Sequence, residues 1–563
     1  MPIWLEDRIN PSNLHLIAVF SAPWGTRSRD LDAMVHDTLE ALVDLMEERP
    51  EARLAMRLDG NLLEHIEAEH GHLADRLAGL ATAGNVELVG GGFYAPILAL
   101  LPWRDAVGQL EMTAGYLERR SGVRPRGAWL DEGVWEPRLA EVLETAGVTW
   151  TALDESALRA AAVDGVVDGH YVTEHAGRPL AVLPIDRGLR LALVAGSASR
   201  FITAVVDRSA ALGRSCTMTW AGDASLLARG GDAATLHALC DAVAARSDVE
   251  WALPAESVER ASPNGRVYLA SGVAPELAAQ TVAPWRLDGW HRRRAALIAA
   301  GDDAATAEEW LRGGIWQAFL ARYGEIDRMH KRSLEVSRRF AAVERVMRNG
   351  GFRAISQLVR PRRALYRGQA GAAFGWGSRA GMHDADLRAA IYATLVEAEV
   401  AAEALVRDGA PYLEVSLRDV HAELETAVLV RSRSLRLVVR PSIGGTLAAL
   451  EWLGDCVALH DVLTRRLEFG QPPGGVADGH ERAWLHDRFL PPDVLPAQWM
   501  DDVGERGDFL DRRYRTVGVN SRGRGADERV DILLAADGKL AEDAGPVAVS
   551  LVKTIRVEAS GCT

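Results

Sequence analysis

The sequence predicts a multidomain α/β protein in which an N-terminal (β/α) barrel is followed by an α-helical middle domain and a C-terminal β-sandwich. Short apolar runs alternate with amphipathic segments at first, long helical patterns follow, and β-type runs broken by Gly, Pro and Asp come last. The 563 residues are also too many for one ordinary hydrophobic core. We place the barrel at 1–265, the helical domain at 285–408 and the β-sandwich at 411–563.

The first domain alternates buried strands with helices. The run "LHLIAVF" (14–20) is continuously apolar, and "DLDAMVHDTLEALVDLMEE" after it carries apolar residues at helical spacing. Such strands, separated by helices, indicate a parallel sheet that is covered on both faces. At this length a closed or nearly closed barrel fits better than an open sheet. The other predicted strands are "VELVGG", "GAWL", "VTWTALD", "LAVLPI", "CTMTW" and "VEWALP".

The two later domains have different periodicities. Trp316, Leu320, Tyr323 and Ile326 recur at three- and four-residue steps, which predicts a long helix, and "LRAAIYATLVEAEVAAEALV" predicts a second one. The runs "YLEVSL", "TAVLVRS" and "LRLVVRP" are instead typical of β-sandwich strands. The chain ends soon after "VAVSLVKTIRV", so we expect this sandwich to be reduced.

Composition and charge narrow the possible partners. The formal net charge of -14 argues against electrostatic binding of nucleic acid or of an anionic membrane surface. The N-terminus lacks the apolar segment of a secretory signal, and no uncharged apolar run approaches a membrane span. The four cysteines form no C-x-x-C pair, and H-E-x-x-H spacing is absent. We predict a cytoplasmic protein without cofactor, metal, nucleic acid or membrane partner, and leave a homo-oligomer open.

Two adjacent acids, Asp131 and Glu132, lie between Trp129 and Trp135 where a predicted strand ends and a helix begins. In β/α barrels the carboxyl ends of the strands carry the chemistry, and Asp154 ends the next predicted strand on the same rim. Paired carboxyls are what glycoside chemistry needs, and indoles can stack on sugar rings. The alternative is that the acids only favour the helix dipole, which the local sequence alone supports better.

Five longer stretches of the chain carry a family likeness. They are "NVELVGGGFYAPILALLP", "RGAWLDEGVWEPRLAEVLETAGVTWTALDE", "LAVLPIDRGLR", "LRGGIWQAFLARYGEIDRMHKRSLEVS" and "GGTLAALEWLGDCVALHDVLTRRLE". Together they resemble the family-57 glycoside hydrolases, in their 4-α-glucanotransferase/α-amylase branch. The resemblance implies a seven-stranded barrel and a retaining mechanism on α-1,4-glucans, with an α-glucan or maltooligosaccharide as the partner. "WLDEGVW" matches the family's nucleophile motif, which puts Glu132 at the nucleophile position and Gly133 where the family has Arg.

The other family motifs are eroded in this chain. In "FYAP", Ala95 replaces a Glu, and in "TWAGDASLL" the usual His-Asp-Asp is replaced, which leaves Asp223 nearby but out of register. "FSAPWG" and "GAAFGWG" also lack the polar residues of their motifs. Trp24, Trp220 and Trp376 lie at or beside three eroded motifs. We expect these indoles to fill the former cleft; the alternative is an aromatic platform that binds a saccharide without cutting it.

These losses predict a catalytically impaired or inactive protein with a saccharide-binding or assembly role in α-glucan metabolism. A retaining glycosidase needs two carboxyl groups about 5 Å apart. Asp223 and Asp131 are the only candidates to replace the missing acid, and both are weak ones. The predicted substrate-binding residues are Trp24, Trp129, Trp135, Asp154, Trp220 and Trp376. One alternative is an active retaining hydrolase or 4-α-glucanotransferase with Glu132 as nucleophile. Another is a structural partner of an active paralogue.

Histidines give no catalytic or metal-binding pattern in the sequence. His70 and His72 lie in the acidic stretch "EAEHGHLADR", which predicts a solvated helix face. An open pocket with a second acid near Glu132 would favour the enzyme, and a dry rim plugged by tryptophan would favour the interaction protein.

Overall fold

The structure is a computed structural model that describes residues 11–230, 232–301, 311, 313–376, 381–407, 411–466, 468, 477–495, 504–523 and 525–559. The chain divides into two compact units. The first comprises Met1–Arg322 with Gln369–Trp376, and the second comprises Tyr323–Gly368 with Gly377–Thr563. The three domain boundaries given above stay a prediction.

A largely parallel sheet forms the centre of the first unit. Its strands are β1 Ser12–Phe20, β2 Leu54–Leu58, β3 Val86–Leu88, β4 Gly90–Gly91, β5 Gly127–Trp129, β6 Trp150–Asp154, β7 Tyr171–His175, β8 Arg178–Ile185, β9 Thr217–Asp223 and β10 Val249–Trp251. The order is β3-β2-β1-β9-β8-β6-β5-β4, with β10 beside β1 and an antiparallel β7 beside β8. Because β3 and β4 belong to one continuous stretch, 86–91, the sheet returns on itself as a nearly closed barrel. The predicted barrel is confirmed.

Helices accompany the strands of the first unit, and several of them pack against the outside of the sheet. They are α1 Ser28–Met34, α2 Glu40–Glu48, α3 Gly60–Glu69, α4 Gly71–Ala83, α5 Trp103–Ser121, α6 Leu139–Thr145, α7 Glu155–Arg159, α8 Arg187–Val194, α9 Ala198–Leu212, α10 Ser225–Ala228, α11 Ala234–Ala244, α12 Pro254–Arg260, α13 Leu287–Ala299 and α14 Gln317–Arg322. A π-helical turn, Val35–Leu39, joins α1 to α2. Short 3₁₀ helices lie at Leu98–Leu100, Asp131–Gly133, Pro275–Thr281, Pro284–Arg286 and Gly371–Phe374.

Strand residues alternate between two cores, as the pleat requires. One core fills the barrel interior and includes Ile17, Ala55 and Ala221. The other lies between the sheet and its helices and includes Leu16 and Trp220. The carboxyl ends of the parallel strands therefore meet at one rim of a filled barrel, which is where the candidate site lies.

The second unit combines helices with two antiparallel sheets. Its α-helices are α15 Gly324–Met347, α16 Gly351–Ser356, α17 Val359–Arg367 and α18 Ala385–Arg407, and short 3₁₀ helices lie at Arg348–Gly350, Gly381–His383 and Gly525–Asp527. The strands are β11 Leu413–Arg418, β12 Ala427–Ser432, β13 Leu435–Arg440, β14 Thr446–Trp452, β15 Val457–Ala458, β16 Arg515–Arg522, β17 Arg529–Leu540 and β18 Val547–Glu558. The sheets β11–β15 and β16–β18 share one hydrophobic core, as predicted for a sandwich.

A buried network of arginine and glutamate side chains joins the helices of this unit to the sheet β11–β15. Arg436 on β13 donates to Glu451 Oε1 at 2.8 Å and to Glu335 Oε2 on α15 at 2.6 Å. Arg332 on α15 also donates to Glu451 Oε1, at 3.0 Å. Burial opposes ionisation of Glu335, but the guanidinium groups of Arg436 and Arg332 outweigh it and lower the pKa of that carboxyl. The network therefore holds charged groups inside the unit by mutual compensation.

We predict that Arg436→Met destabilises the second unit by about 3–5 kcal/mol, because it leaves two buried carboxylates short of a cation. Urea unfolding followed by circular dichroism measures the change. The matched control is Arg360→Met, since the Arg360 side chain is 86% exposed and its ion pair with Glu397 is at the surface. A stability of Arg436→Met equal to that of the control would contradict the role given to the network.

Candidate active site

The segment after β5 holds two carboxylates in an unusual backbone conformation. Asp131, Glu132 and Gly133 form a single 3₁₀ turn, and both Glu132 (φ 58°) and Gly133 (φ 57°) are left-handed. A left-handed conformation costs free energy for a residue other than Gly, and such strain is concentrated at functional sites. A Cβ on Gly133 would lie 3.2 Å from Cβ of Ala274. An arginine at 133, as in the family motif, would therefore be strained in this chain.

Glu132 is largely enclosed and lies near other acids. Burial raises the pKa of its carboxyl, and the negative charge of Glu276 raises it further. Glu276 accepts from Arg190 Nη2 at 2.5 Å, and Arg190 Nη1 donates to Asp154 Oδ2 at 3.2 Å. Burial also raises the pKa of Asp154, although Ser156 and Arg190 oppose the shift. Arg190 thus joins Asp154 at the end of β6 to Glu276 beside Glu132.

Asp131 belongs to a second cluster of charges. Burial raises the pKa of Asp131 to about 7, and the charges of Asp59 and Glu132 add to this effect while Arg57 opposes it. Its Oδ2 is buried without a hydrogen-bond partner among the described residues. Burial likewise raises the pKa of Asp59 to about 6, against the charge of Arg57. The oxygens of Asp59 accept from the backbone N–H groups of Ala22 (2.6 Å) and Leu62 (3.1 Å).

Arg57 places its guanidinium at this rim because the neighbouring strand has no side chain. Arg57 Nη2 donates a hydrogen bond to the carbonyl oxygen of Gly92 at 2.6 Å. A Cβ on Gly91 would lie 2.9 Å from Arg57 Nε and 2.9 Å from the carbonyl oxygen of Trp129. Glycine at 91 is thus required for Arg57 to lie beside β5.

The sequence did not reveal Arg57, Asp59 or Glu276 as site residues. Arg57 lies in the otherwise apolar strand "LAMRL", and Asp59 caps α3. A charged residue at the end of a buried strand, followed two residues later by a helix-capping acid, is the sequence signal that could have identified these two residues. Glu276 lies in 266–284, the stretch between two predicted domains. There Gly272 pairs with Trp135 through hydrogen bonds of 2.9 and 3.0 Å, which holds this stretch against the end of β5. No periodicity indicated that pairing.

Three predicted tryptophans lie in different settings on the first unit. Trp129 is partly buried against the barrel interior. Trp135 is 2% exposed and donates from Nε1 to the carbonyl oxygen of Leu269 at 3.4 Å, which is a structural contact. Trp24 is half-buried and packs edge-on against Tyr94 with ring centroids 6.1 Å apart. Substrate contact by these residues stays a prediction, which the burial of Trp135 does not favour.

The predicted residues of strand β9 lie in different settings. Trp220 is fully buried in the core between sheet and helices, whereas Ala221 faces the barrel interior. Asp223 is exposed, and its Oδ1 accepts from the backbone N–H of Ser225 at 2.9 Å. Trp220 therefore fills the outer core and not the cleft, and Asp223 caps the turn that follows its strand.

The segment "GAAFGWG" lies beside the segment "FYAP". Gly371 donates its backbone N–H to the carbonyl oxygen of Ala95 at 3.0 Å, so the two motif segments are in contact. Trp376 is half-buried, with the Arg322 guanidinium 5.2 Å from its ring centroid. Its backbone N–H donates to Gln280 Oε1 at 3.0 Å. The 3₁₀ helix Pro275–Thr281 thus carries both Glu276, the acid near Glu132, and Gln280, which accepts the hydrogen bond from the Trp376 backbone.

Comparison with known proteins supports the same family. Residues 33–200 match the family described as glycosyl hydrolase family 57, and residues 314–402 match the α-amylase/4-α-glucanotransferase middle domain. An α-amylase of Pyrococcus horikoshii is 27% identical over 506 residues, which cover 84% of this chain and 73% of the relative. A 4-α-glucanotransferase of Thermococcus kodakarensis is 26% identical over 545 residues, which cover 87% of this chain and 77% of the relative.

The fold also has a solved counterpart. The crystal structure of a 4-α-glucanotransferase from Thermococcus litoralis has a TM-score of 0.79 at 22% identity and covers 97% of this chain and 85% of that one. Within the described residues, none of the helices combines the length and the apolar character that crossing a membrane requires. The chain therefore carries a glycosyl hydrolase family 57 domain, followed by a middle domain of the α-amylase/4-α-glucanotransferase type.

Proposed function

We propose that this protein binds α-1,4-glucan chains at the rim of its barrel but turns them over far more slowly than active enzymes of its family do. The relatives named α-amylase and 4-α-glucanotransferase indicate the substrate class. The geometry at the end of β9 supports the loss of turnover, and the partly exposed indoles support retained binding.

The observation that carries the proposal is the end of β9, the strand that corresponds to the family's acid/base motif. Ala221 and Asp223 lie on the inward face of β9 by strand alternation; Ala221 carries no carboxyl, and Asp223 is exposed with one oxygen engaged by the Ser225 N–H. Departure of a sugar oxygen needs a proton donor opposite the nucleophile. Loss of general acid help typically lowers a rate by on the order of 10²–10⁴-fold.

The setting of Glu132 supports the same proposal. A carboxyl group must be ionised to attack a sugar, yet both burial and Glu276 favour the protonated form. The described residues include no cation that offsets this effect at Glu132, because Arg190 is engaged by Asp154 and Glu276. The nucleophile position is thus retained in a setting that favours its protonated form.

We predict that the protein forms no Glu132-dependent products from maltoheptaose. Wild type and Glu132→Gln are incubated with the saccharide, and shortened and lengthened chains are measured by chromatography. The 4-α-glucanotransferase of Thermococcus kodakarensis serves as the positive control. Product formation by wild type that disappears in Glu132→Gln would contradict the proposal and favour an active enzyme.

We predict that Trp376→Ala weakens maltoheptaose binding roughly tenfold, a loss of about 1.4 kcal/mol, because the partly exposed part of an indole is removed. Isothermal titration calorimetry measures the affinity. Trp484→Ala is the matched control, since Trp484 is a 47% exposed indole of the second unit. If wild type binds no saccharide, the binding part of the proposal fails and a structural partner becomes the better interpretation.

A second candidate, an active retaining enzyme, is favoured by one observation at Asp131. With a pKa of about 7, this carboxyl is largely protonated in the acid range and lies near enough to Glu132 to respond to its charge. In that scheme Asp131 donates its proton to the glycosidic oxygen while ionised Glu132 attacks the anomeric carbon. Water then cleaves the glycosyl-enzyme ester and returns a proton to Asp131. Any such turnover would be lost in Asp131→Asn.

We predict that Asp131 makes the first unit less stable as pH rises. Between its ordinary pKa of about 3.9 and its folded value of about 7, the folded state holds a proton that the unfolded state releases, so the free energy of unfolding falls with pH. Asp131→Asn removes this dependence, so its stability relative to wild type rises from pH 4 to pH 8. Urea unfolding across that range measures the difference. Parallel profiles would show that Asp131 is not protonated when folded.

A further inference from the structure

Three side chains outside the candidate active site bring metal-ligating atoms together. Asp32 lies on α1, His65 on α3, and His70 at the junction between α3 and α4. The ligand atoms of the three residues all lie within 4.8 Å of one another. Asp32 Oδ1 is 2.7 Å from His65 Nε2 and 3.2 Å from His70 Nε2. The neighbours of His70 in the predicted solvated face, Glu69 and His72 among them, are exposed, whereas the His70 side chain itself is only 16% exposed.

We propose that Asp32, His65 and His70 form a site for a divalent transition metal, with Zn²⁺ as the best match. Two imidazoles and one carboxylate are a common donor set for zinc, with metal–ligand distances of about 2.0–2.2 Å. Tetrahedral ligands at such distances are separated by roughly 3.3 Å. The observed separations from the carboxylate oxygen are close to this value, so binding requires only small side-chain movements.

The burial of the three groups suits a preformed site with an open entrance. The His65 side chain is 10% exposed and is fixed by packing, whereas Asp32 is 43% exposed and gives access from solvent. A metal would take the place of the protons now shared between the imidazole nitrogens and the carboxylate oxygen. The three protein ligands leave a fourth position for water or for another side chain.

His36 lies beside the cluster but outside the three mutually close ligand atoms, so it would supply that fourth ligand only after a side-chain movement. Its ring lies edge-on to His70 with centroids 5.1 Å apart. His36 Nδ1 is 2.9 Å from Glu40 Oε2, so Nδ1 carries the proton and Nε2 keeps the lone pair that a metal needs. A carboxylate behind the other ring nitrogen is the usual support of a metal-bound histidine. His36 lies in the π-helical turn Val35–Leu39, a rare geometry that is frequent at functional sites.

A metal at this position would tie α1 to the α3–α4 junction. Helix α1 follows the segment that contains Ala22 and Trp24, and α3 begins next to Asp59. The bond from the Ala22 N–H to Asp59 already joins the segments that precede these helices. The site would therefore stabilise the region around the Asp59 and Asp131 cluster without contacting a substrate, and its role would be structural.

The test uses the full chain, purified without a histidine tag, dialysed against EDTA and then freed of the chelator. Titration with Zn²⁺ in a calorimeter measures affinity and stoichiometry, and Co²⁺ absorption reports the ligand geometry. We expect wild type to bind one Zn²⁺ at this site, and His65→Gln or His70→Gln to bind it at least tenfold more weakly. His72→Gln is the matched control, because His72 is exposed on α4, two residues after His70; it should bind as wild type does.

Thermal unfolding separates metal binding from a purely hydrogen-bonded cluster. We expect Zn²⁺ to raise the Tm of wild type and His72→Gln above the Tm in EDTA, and to leave the Tm of His65→Gln and His70→Gln unchanged. Equal Zn²⁺ affinity in all four proteins would overturn the proposal. So would a wild-type Tm that is the same with Zn²⁺ as with EDTA, even if both cluster variants were less stable in EDTA.

Discussion

Residues 86–91 hydrogen-bond to β2 through their first half and to β5 through their second half, and this double pairing draws the two edges of the parallel sheet together. In an open sheet, β2 and β5 would lie far apart. In the closed one, Arg57 on β2 comes near enough to Asp131 after β5 to affect its protonation. The absence of a side chain at Gly91 is what permits this approach. The charge arrangement of the candidate site thus follows from backbone pairing.

The rim of the barrel contains more buried acid than buried base. Arg57 opposes the pKa shifts of both Asp59 and Asp131 but does not cancel either, so both carboxyls hold protons more strongly than in water. Arg190 is similarly divided between Asp154 and Glu276. Such a rim holds several carboxyl groups whose surroundings favour the protonated form.

The strand ends could be predicted from the sequence, and the contacts across them could not. Apolar runs followed by residues at helical spacing identify the strands. Because the carboxyl ends of parallel barrel strands meet at one rim, Asp131, Glu132 and Asp154 are then expected at that rim. Glu276 reaches Glu132 from a stretch without periodicity, through a pairing of Trp135 with Gly272 that only tertiary structure reveals. Such irregular segments carry no local signal of where they pack.

The direction of Trp220 was available in the sequence and was missed. Side chains alternate along a strand, so a tryptophan next to an inward Ala221 must face the helices. The prediction that this indole fills the former cleft is therefore wrong, whereas the loss of the acid/base carboxylate stays a prediction. A shift of one residue decides between the two faces of a strand.

The cations described in the buried network of the second unit are arginines, and this determines how the stability of that unit depends on pH. Guanidinium groups stay charged at every accessible pH, so only the glutamates respond to protons. The lowered pKa of Glu335 means that its contribution to stability is present above about pH 4 and disappears on acidification. Asp131 in the first unit responds in the opposite sense, because its protonation removes the cost of burying a negative charge. Acidification from about pH 7 to pH 4 therefore tightens the first unit, and only stronger acid loosens the second.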